Sequence, residues 1–320
     1  MMDSKDRLLV EIARMYYENN MNQKEIADRF NISRTYVSKL LEKAKSRGIV
    51  QITIRDPEGA EGPLEKRLRK EFGLAAVHVV SATGDSPEAD MYSVARAAAR
   101  YIDGIVRNDT VIAYSWGHTI YACSREMTRR GDIHGITAVQ MCGGVSNLDR
   151  KIYASEIATN IAEAYNGTPY ILPLPAVLQS ASTKKAVLKD ASMTRIMDMA
   201  KRAEIALFTV GTFGMDSAIY RAGYLTDEEI EGLTRKGAVG DVCAHFIDSA
   251  GEVCDPLIDS RTISIGLEDM LACPHRICAV LGRNKLLALL GALRKRYINV
   301  LVTDDVMARN LLNYISEREA

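Results

Sequence analysis

Two sets of residues in this chain have types and spacings suited to chemistry. The first lies in short, small, polar segments: Ser115-Trp116-Gly117-His118-Thr119, Cys142-Gly143-Gly144-Val145-Ser146, Val210-Gly211-Thr212-Phe213-Gly214 and Leu281-Gly282-Arg283-Asn284-Lys285. Glycine lets backbone amides approach an anion closely, and a helix that starts there adds a partial positive charge. Lys285 is a cation suited to phosphate, while Asp241 and Gln179 could bond the hydroxyls of a sugar. Each loop alone is more often a packing solution than a ligand cradle; several in one domain shift the balance toward a phosphorylated ligand. The second set is Thr35, Ser38, Lys39 and Glu42, with Arg34 and Tyr36 on the exposed first turn. Hydroxyls and amides bond phosphate, and Arg and Lys reach the acceptors of guanine in the major groove.

Other chemistries lack their residues. No strand is followed by GxGxxG, and neither a phosphate-binding GxxxxGK[ST] loop nor a GxSxG elbow occurs. His78, His118, His134, His245 and His275 are scattered. The six cysteines show no paired CxxC spacing, and Cys273-Pro274-His275-Arg276-Ile277-Cys278 has no second ligand pair. They read as reduced, buried thiols. Asp241, Asp248 and Asp255 form no evident acid–base pair. No catalytic residue, metal or cofactor is therefore assigned.

The elements that position the second set come first in the chain. Residues 5–18 form a helix with Leu8, Leu9, Ile12, Ala13 and Tyr16 on one face. Asn22 and Glu25 make a capping box for the next helix, with Met21 and Ile26 as a hydrophobic staple. Asn31 tolerates the left-handed backbone of a tight turn. Ser33 caps the following helix, where Val37, Leu40, Leu41 and Ala44 form one apolar stripe. Two capped helices and a short turn make a helix-turn-helix, whose second helix enters the major groove. Gly48 stops that helix, and Ile49–Ile54 alternates as a strand. From Lys24 to Arg55 there are eight Lys or Arg against three acidic residues, the footprint expected of a DNA-binding module.

The segment 55–63, with two Pro and two Gly, is the clearest domain boundary. Beyond it strands at 75–80, 110–114, 136–142, 168–172, 205–210, 276–281 and 299–302 alternate with helices at 64–72, 88–107, 152–165, 183–202 and 286–296. That alternation predicts a mostly parallel sheet covered on both faces, with the glycine loops at the carboxyl ends of its strands. At 320 residues, 47% apolar and 26% charged, the chain is long enough for two globular domains. Its formal net charge is zero, so the basic character is local. Charges interrupt every apolar run of the N-terminus, and no run approaches the roughly 18 residues of a membrane span. A cytoplasmic location is expected.

Residues 9–54 resemble the DNA-binding domain of SorC-type sugar-responsive transcriptional regulators, through the signature IARMYYENNMNQKEIADRFNISRTYVSKLLEKAKSRGIVQITI at 12–54. The segments SWGHT, QMCGG, LPLPAVL, VGTFG, GAVGDVCAHFIDSAGEVCD, RTISIGLEDM and YINVLVTDD, in that order, resemble the same family's effector domain. The resemblance implies a Rossmann-like α/β effector domain, similar in fold to sugar-phosphate isomerases and deaminases, that binds a sugar or sugar phosphate without turning it over. It implies a pocket using Ser115, Gly117, Thr119, Gly143, Gly144, Gly211, Thr212, Asp241 and Lys285, to which the residue reading adds Gln179. Some relatives carry a cation in the loop matching Gln140–Ser146. This chain has none there, which argues against a doubly phosphorylated or Schiff-base ligand. The resemblance also implies a homo-oligomer, usually a tetramer.

The expected organisation is a helix-turn-helix domain at 1–55, a linker at 56–63 and an effector and oligomerisation domain at 64–320. The expected partners are double-stranded operator DNA and the effector, with no membrane. Gln23, Lys24, Ser33, Arg34, Thr35, Tyr36, Ser38, Lys39 and Lys43 form the expected DNA-contacting set. The expected function is regulation of a carbohydrate-utilisation operon. The rival is an isomerase- or deaminase-like enzyme fused to a DNA-binding head; a DNA-binding structural protein with a vestigial pocket is a weaker third reading.

Overall fold

The computed structural model describes residues 4–19, 21–46, 49–50, 61–84, 86–145 and 154–319. The chain divides into two compact units, Met1–Ala60 and Glu61–Ala320. Gly48, residues 51–54 of the strand expected at Ile49–Ile54 and most of the linker expected at 56–63 fall outside the described residues; Ile49 and Val50 are described and are not in a strand.

Among its described residues the first unit contains three helices, α1 (Ser4–Tyr17), α2 (Gln23–Phe30) and α3 (Arg34–Ser46). Local chemistry sets their ends. The Asn22 side chain accepts from the amides of Lys24 and Glu25, both at 3.0 Å, and Glu25 Oε2 accepts from the Asn22 amide at 2.8 Å. Both halves of the capping box are thus present. Asn31 closes α2 with φ 53° and ψ 46°, the left-handed conformation that an Asn side chain tolerates. Ser33 Oγ accepts from the Tyr36 amide at 3.1 Å and starts α3. Leu9, Ile12, Ala13 and Met15 of α1 pack with Ile26 and Ala27 of α2 and with Val37, Leu40, Leu41 and Ala44 of α3. Met21, where a staple is expected, and Ile32 close the edge of this core.

Among its described residues the second unit has ten strands: β1 (Ala76–Val80), β2 (Val111–Tyr114), β3 (Thr137–Gln140), β4 (Thr168–Tyr170), β5 (Ile205–Phe208), β6 (Val210–Thr212), β7 (Ala238–Val242), β8 (His245–Asp248), β9 (His275–Ala279) and β10 (Val300–Asp304). Seven of them form one sheet in the order β1-β10-β9-β5-β2-β3-β4. Every pairing in it is parallel. Its strands are apolar on both faces, as a sheet covered on both sides requires. Ala113, Ala206, Phe208 and Leu301 enter one core, with the helices that include Leu68, Ala200, Leu289 and Leu311. Ile112, Tyr114, Ile205, Leu207, Val300 and Val302 enter the opposite core, with Ala98, Ile120 and Ile157.

Three sequence expectations need correction. The strand expected over 205–210 is two strands: β5 ends at Phe208, and β6 leaves for a second sheet. That sheet is antiparallel, in the order β6-β7-β8, and had no counterpart in the sequence reading. The strand expected at 299–302 extends through Thr303 and Asp304, because β1 pairs with it out to Val80 opposite Asp304.

Candidate functional site

The outer surface of α3 and the carboxyl edge of the parallel sheet hold the two residue sets. On α3, Arg34, Thr35, Tyr36 and Lys39 are exposed and Ser38 is half-buried, while Val37, Leu40, Leu41 and Ala44 point into the core. Among the described residues no acidic group pairs with Arg34 or Lys39, so both charges face solvent. Lys24 and Lys43 are exposed and Gln23 is half-buried. Ser33 is exposed too, but its hydroxyl oxygen is engaged by the Tyr36 amide. The set therefore presents cations, hydroxyls and one phenol around the start of a helix, a surface suited to a nucleic-acid groove.

In the sheet, successive connections run in opposite directions from the boundary between β2 and β5. The chain goes from β2 outward to β3 and β4, returns to β5, and then proceeds through β9 to β10 on the other side. Loops at such a switch point diverge and leave a crevice at the strand ends, where ligands of open α/β sheets bind. A cavity of 260 Å³ lies there. The loop after β2 contributes Trp116, Gly117, His118 and Thr119; the chain leaving β5 contributes Thr209, Val210, Gly211 and Thr212. Asp241 of β7 and Lys285 also line it. Trp116 is the single tryptophan of the chain, and its Nε1 donates to Gly143 O at 2.8 Å, fixing the cavity wall to the neighbouring loop.

Each polar group has a structural reason to be where it is. Gly117 precedes the helix His118–Glu126 with φ 125°, a conformation open to glycine, and brings no side chain to cap the first-turn amides. Asp241 is buried, and its Oδ2 accepts from the Ala244 amide at 2.8 Å. Burial pushes the Asp241 carboxyl up to about 6, against the opposing pull of that hydrogen bond and of Lys285 and His245. Lys285 is drawn below its ordinary value by loss of solvent, opposed by Cys278 and Asp241. Its Nζ donates to Thr209 Oγ1 at 3.3 Å, its hydrogen bond among the described residues. Glycine at 211 is required by close approach: a Cβ there would stand 1.8 Å from Asp241 Oδ1. The cavity thus offers a deep ammonium, a buried carboxyl, hydroxyls and helix-start amides in a small space.

Of the sequence-expected effector residues, Gly117, Thr119, Gly211, Thr212, Asp241 and Lys285 meet in this cavity. Ser115, Gly143, Gly144 and Gln179 lie outside its lining. Ser115 is buried, and its hydroxyl has no partner among the described residues. Gly143 and Gly144 have their amides committed to Ile263 O at 2.7 Å and Leu174 O at 2.8 Å. A Cβ on Gly143 would meet Pro175 O at 2.4 Å, so glycine there answers to chain packing and its amide is not offered to an anion. Gly144 borders a separate cavity of 500 Å³ with Gln140, Leu174 and Tyr224. Gln179 is exposed. The sequence reading gave no role to Thr209, Asp216 or Arg221, which also line the 260 Å³ cavity. Asp216 precedes, and Arg221 ends, a four-residue helix, Ala218–Arg221, too short to leave a periodic signal.

Among the described residues no helix is long and apolar enough to cross a membrane, and no three His, Cys, Asp or Glu side chains are grouped to hold a metal ion.

Comparison with known proteins finds a match for each of the two units. A family described as a sugar-binding domain matches residues 60–313, and region 4 of the sigma-70 family matches residues 10–47. A deoxyribonucleoside regulator of Bacillus subtilis is 37% identical over 309 residues, spanning 97% of this chain and 98% of the relative. The sorbitol operon regulator of Klebsiella pneumoniae is 29% identical over 308 residues, 96% of this chain and 98% of its own. The crystal structure of that full-length regulator, SorC, superimposes with a TM-score of 0.73 at 26% identity, covering 98% of this chain and 100% of the other. A sugar-binding domain matched across most of the chain, a helix-turn-helix before it and regulators alignable from end to end together show that the chain belongs to the SorC family of transcriptional regulators and is not an enzyme.

Proposed function

We propose that this regulator binds double-stranded operator DNA through α3 and that a sugar or sugar phosphate in the switch-point cavity controls the binding. Gln23, Lys24, Ser33, Arg34, Thr35, Tyr36, Ser38, Lys39 and Lys43 are the proposed DNA-facing residues. Their cations give salt-dependent affinity, and those nearest the start of α3 read bases. The effector is held by Asp241, which accepts from a hydroxyl, and by Lys285 and the amides at the start of the helix His118–Glu126, which meet an anionic or oxygen-rich end. Thr119, Gly211, Thr212 and Thr209 complete the cavity wall. The single observation that carries the effector reading is the meeting of Asp241 and Lys285 in one cavity at the sheet's switch point.

The names of the relatives point to a carbohydrate- or nucleoside-utilisation operon as the target. We further propose a cytoplasmic homo-oligomer, a tetramer, whose second reading head supplies the other half of a palindromic site. In it, residues 1–55 bind DNA and residues 64–320 bind effector and assemble. Effector binding then shifts an equilibrium between arrangements of the heads, a coupling between two sites. The test is a thermal-shift screen of the full chain against sorbitol, deoxyribonucleosides and a panel of sugars and sugar phosphates. A stabilising compound is then added to a gel-shift assay with DNA upstream of the protein's own gene. A compound that raises Tm and changes the apparent Kd for DNA supports the reading. A compound-independent Kd with no stabilisation by any sugar removes the effector half. Arg34→Ala and Lys39→Ala should each weaken DNA binding by roughly 1–3 kcal/mol if the residue reads a base, and unchanged affinity in both removes the DNA half.

A further inference from the structure

In the first unit every large apolar side chain of α3 is turned inward except one. Val37 is 0% exposed, Leu40 8% and Leu41 4%, whereas Tyr36 is 49% exposed. Among the described residues of this unit it is the one large hydrophobic side chain left in solvent to that degree. Its backbone is held: the Tyr36 amide donates to Ser33 Oγ at 3.1 Å and to Ser33 O at 2.9 Å. An aromatic ring is therefore fixed at its root in the first turn of the helix, which in a helix-turn-helix lies nearest the base edges. Its surroundings are cationic and polar: Arg34 and Thr35 precede it, and Lys39 follows at i+3 on the same flank. The cations suit the phosphates and guanine edges, and they leave the ring as the largest apolar element of the face, beside the small Thr35 methyl. In the major groove the apolar element of a base pair is the C5-methyl of thymine, which the other three bases lack.

We infer that Tyr36 reads thymine: its ring packs against the C5-methyl of one thymine in each half-site, and the contact is apolar. This rests on the DNA-binding reading above and adds to it the identity of one base and the group on it that is recognised. Burying one methyl group is worth about a fourfold change in affinity. Arg34 and Lys39 supply charge that any sequence satisfies in part, whereas the ring rewards a single base.

The test uses the full chain and a duplex that it selects from a randomised pool, each thymine of which is then replaced singly by deoxyuridine, removing only the methyl. The expected result is one thymine per half-site whose replacement weakens wild-type binding about fourfold. That penalty should vanish in Tyr36→Ala and persist in Tyr36→Phe. The deoxyuridine series on the wild-type protein stands even if a variant folds poorly. No methyl-sensitive thymine in wild type overturns the inference, as does a penalty that survives in Tyr36→Ala. A loss of affinity in Tyr36→Phe equal to that in Tyr36→Ala assigns the contact to the phenol hydroxyl and also overturns it. If the chain enriches no duplex at all, the DNA-binding reading itself falls, and this inference with it.

Discussion

Replacing Asp241 by Asn should make the effector unit less sensitive to alkali. The Asp241 carboxyl is raised from 3.8 to about 6, chiefly because burial penalises its charged form. A folded-state value above the unfolded one means that the native state holds the proton more tightly. The associated stability is complete at pH below about 4 and is lost as pH rises through about 6. A difference of about two units, at about 1.4 kcal/mol each, gives a total of about 3 kcal/mol. About 2 kcal/mol of it falls between pH 4.5 and 7.5. Asn cannot ionise, and its Oδ1 can still accept from the Ala244 amide. Thermal unfolding of wild type and Asp241→Asn without ligand, compared at about pH 4.5 and 7.5, isolates this group from all others that titrate. The Tm gap between the two proteins should move by roughly 4 °C in favour of the variant at the higher pH, at about 2 °C per kcal/mol for a unit of this size. Parallel Tm profiles across the range would refute the claim that Asp241 is neutral-favouring and buried.

Other expectations are more local. Gly211→Ala places a methyl 1.8 Å from Asp241 Oδ1, so the carboxylate must leave its place. Stabilisation by whichever sugar binds wild type should be lost, while gel-shift affinity for DNA without effector stays within twofold. Asn22→Ala removes the acceptor for the Lys24 and Glu25 amides and should cost about 1 kcal/mol in thermal unfolding of the first unit. Arg296 is exposed at φ 58°, a conformation that costs an L-residue free energy and glycine little. Arg296→Gly should therefore stabilise the second unit by about 0.5–1 kcal/mol in denaturant titration, where glycine elsewhere in a helix or strand would weaken it.

The parts of this molecule legible in the sequence are those set by contacts between near neighbours. Asn22, Glu25, Asn31 and Ser33 announce the helix ends because their partners are two or three residues away. The parallel strands announce themselves by apolar runs, since both faces are buried. The hairpin of β7 and β8 was not legible. Its turn places Cys243 at φ 51° and Ala244 at φ 71°, where a reader of turns looks for Asn or Gly. Asp241 holds that turn from below through the Ala244 amide, a stabilisation that residue types alone do not reveal. The cavity was half legible. Gly117 and Lys285 stand in connections whose position follows from strand–helix alternation, Gly211 lies in β6 just beyond the end of β5, and the switch point brings them together. Gly143 and Gly144 carry the same local signature, yet their amides are consumed by Ile263 and Leu174, which are distant in sequence. Arg221 reaches the cavity by tertiary placement and left no mark in the pattern around it.

Trp116 forms part of the cavity wall, and the chain has no second indole. Intrinsic emission excited at the red edge of the protein spectrum therefore comes from one site, the place where a small molecule would sit. A change in its wavelength or intensity on titration is a label-free occupancy signal, readable in the same cuvette in which DNA is present.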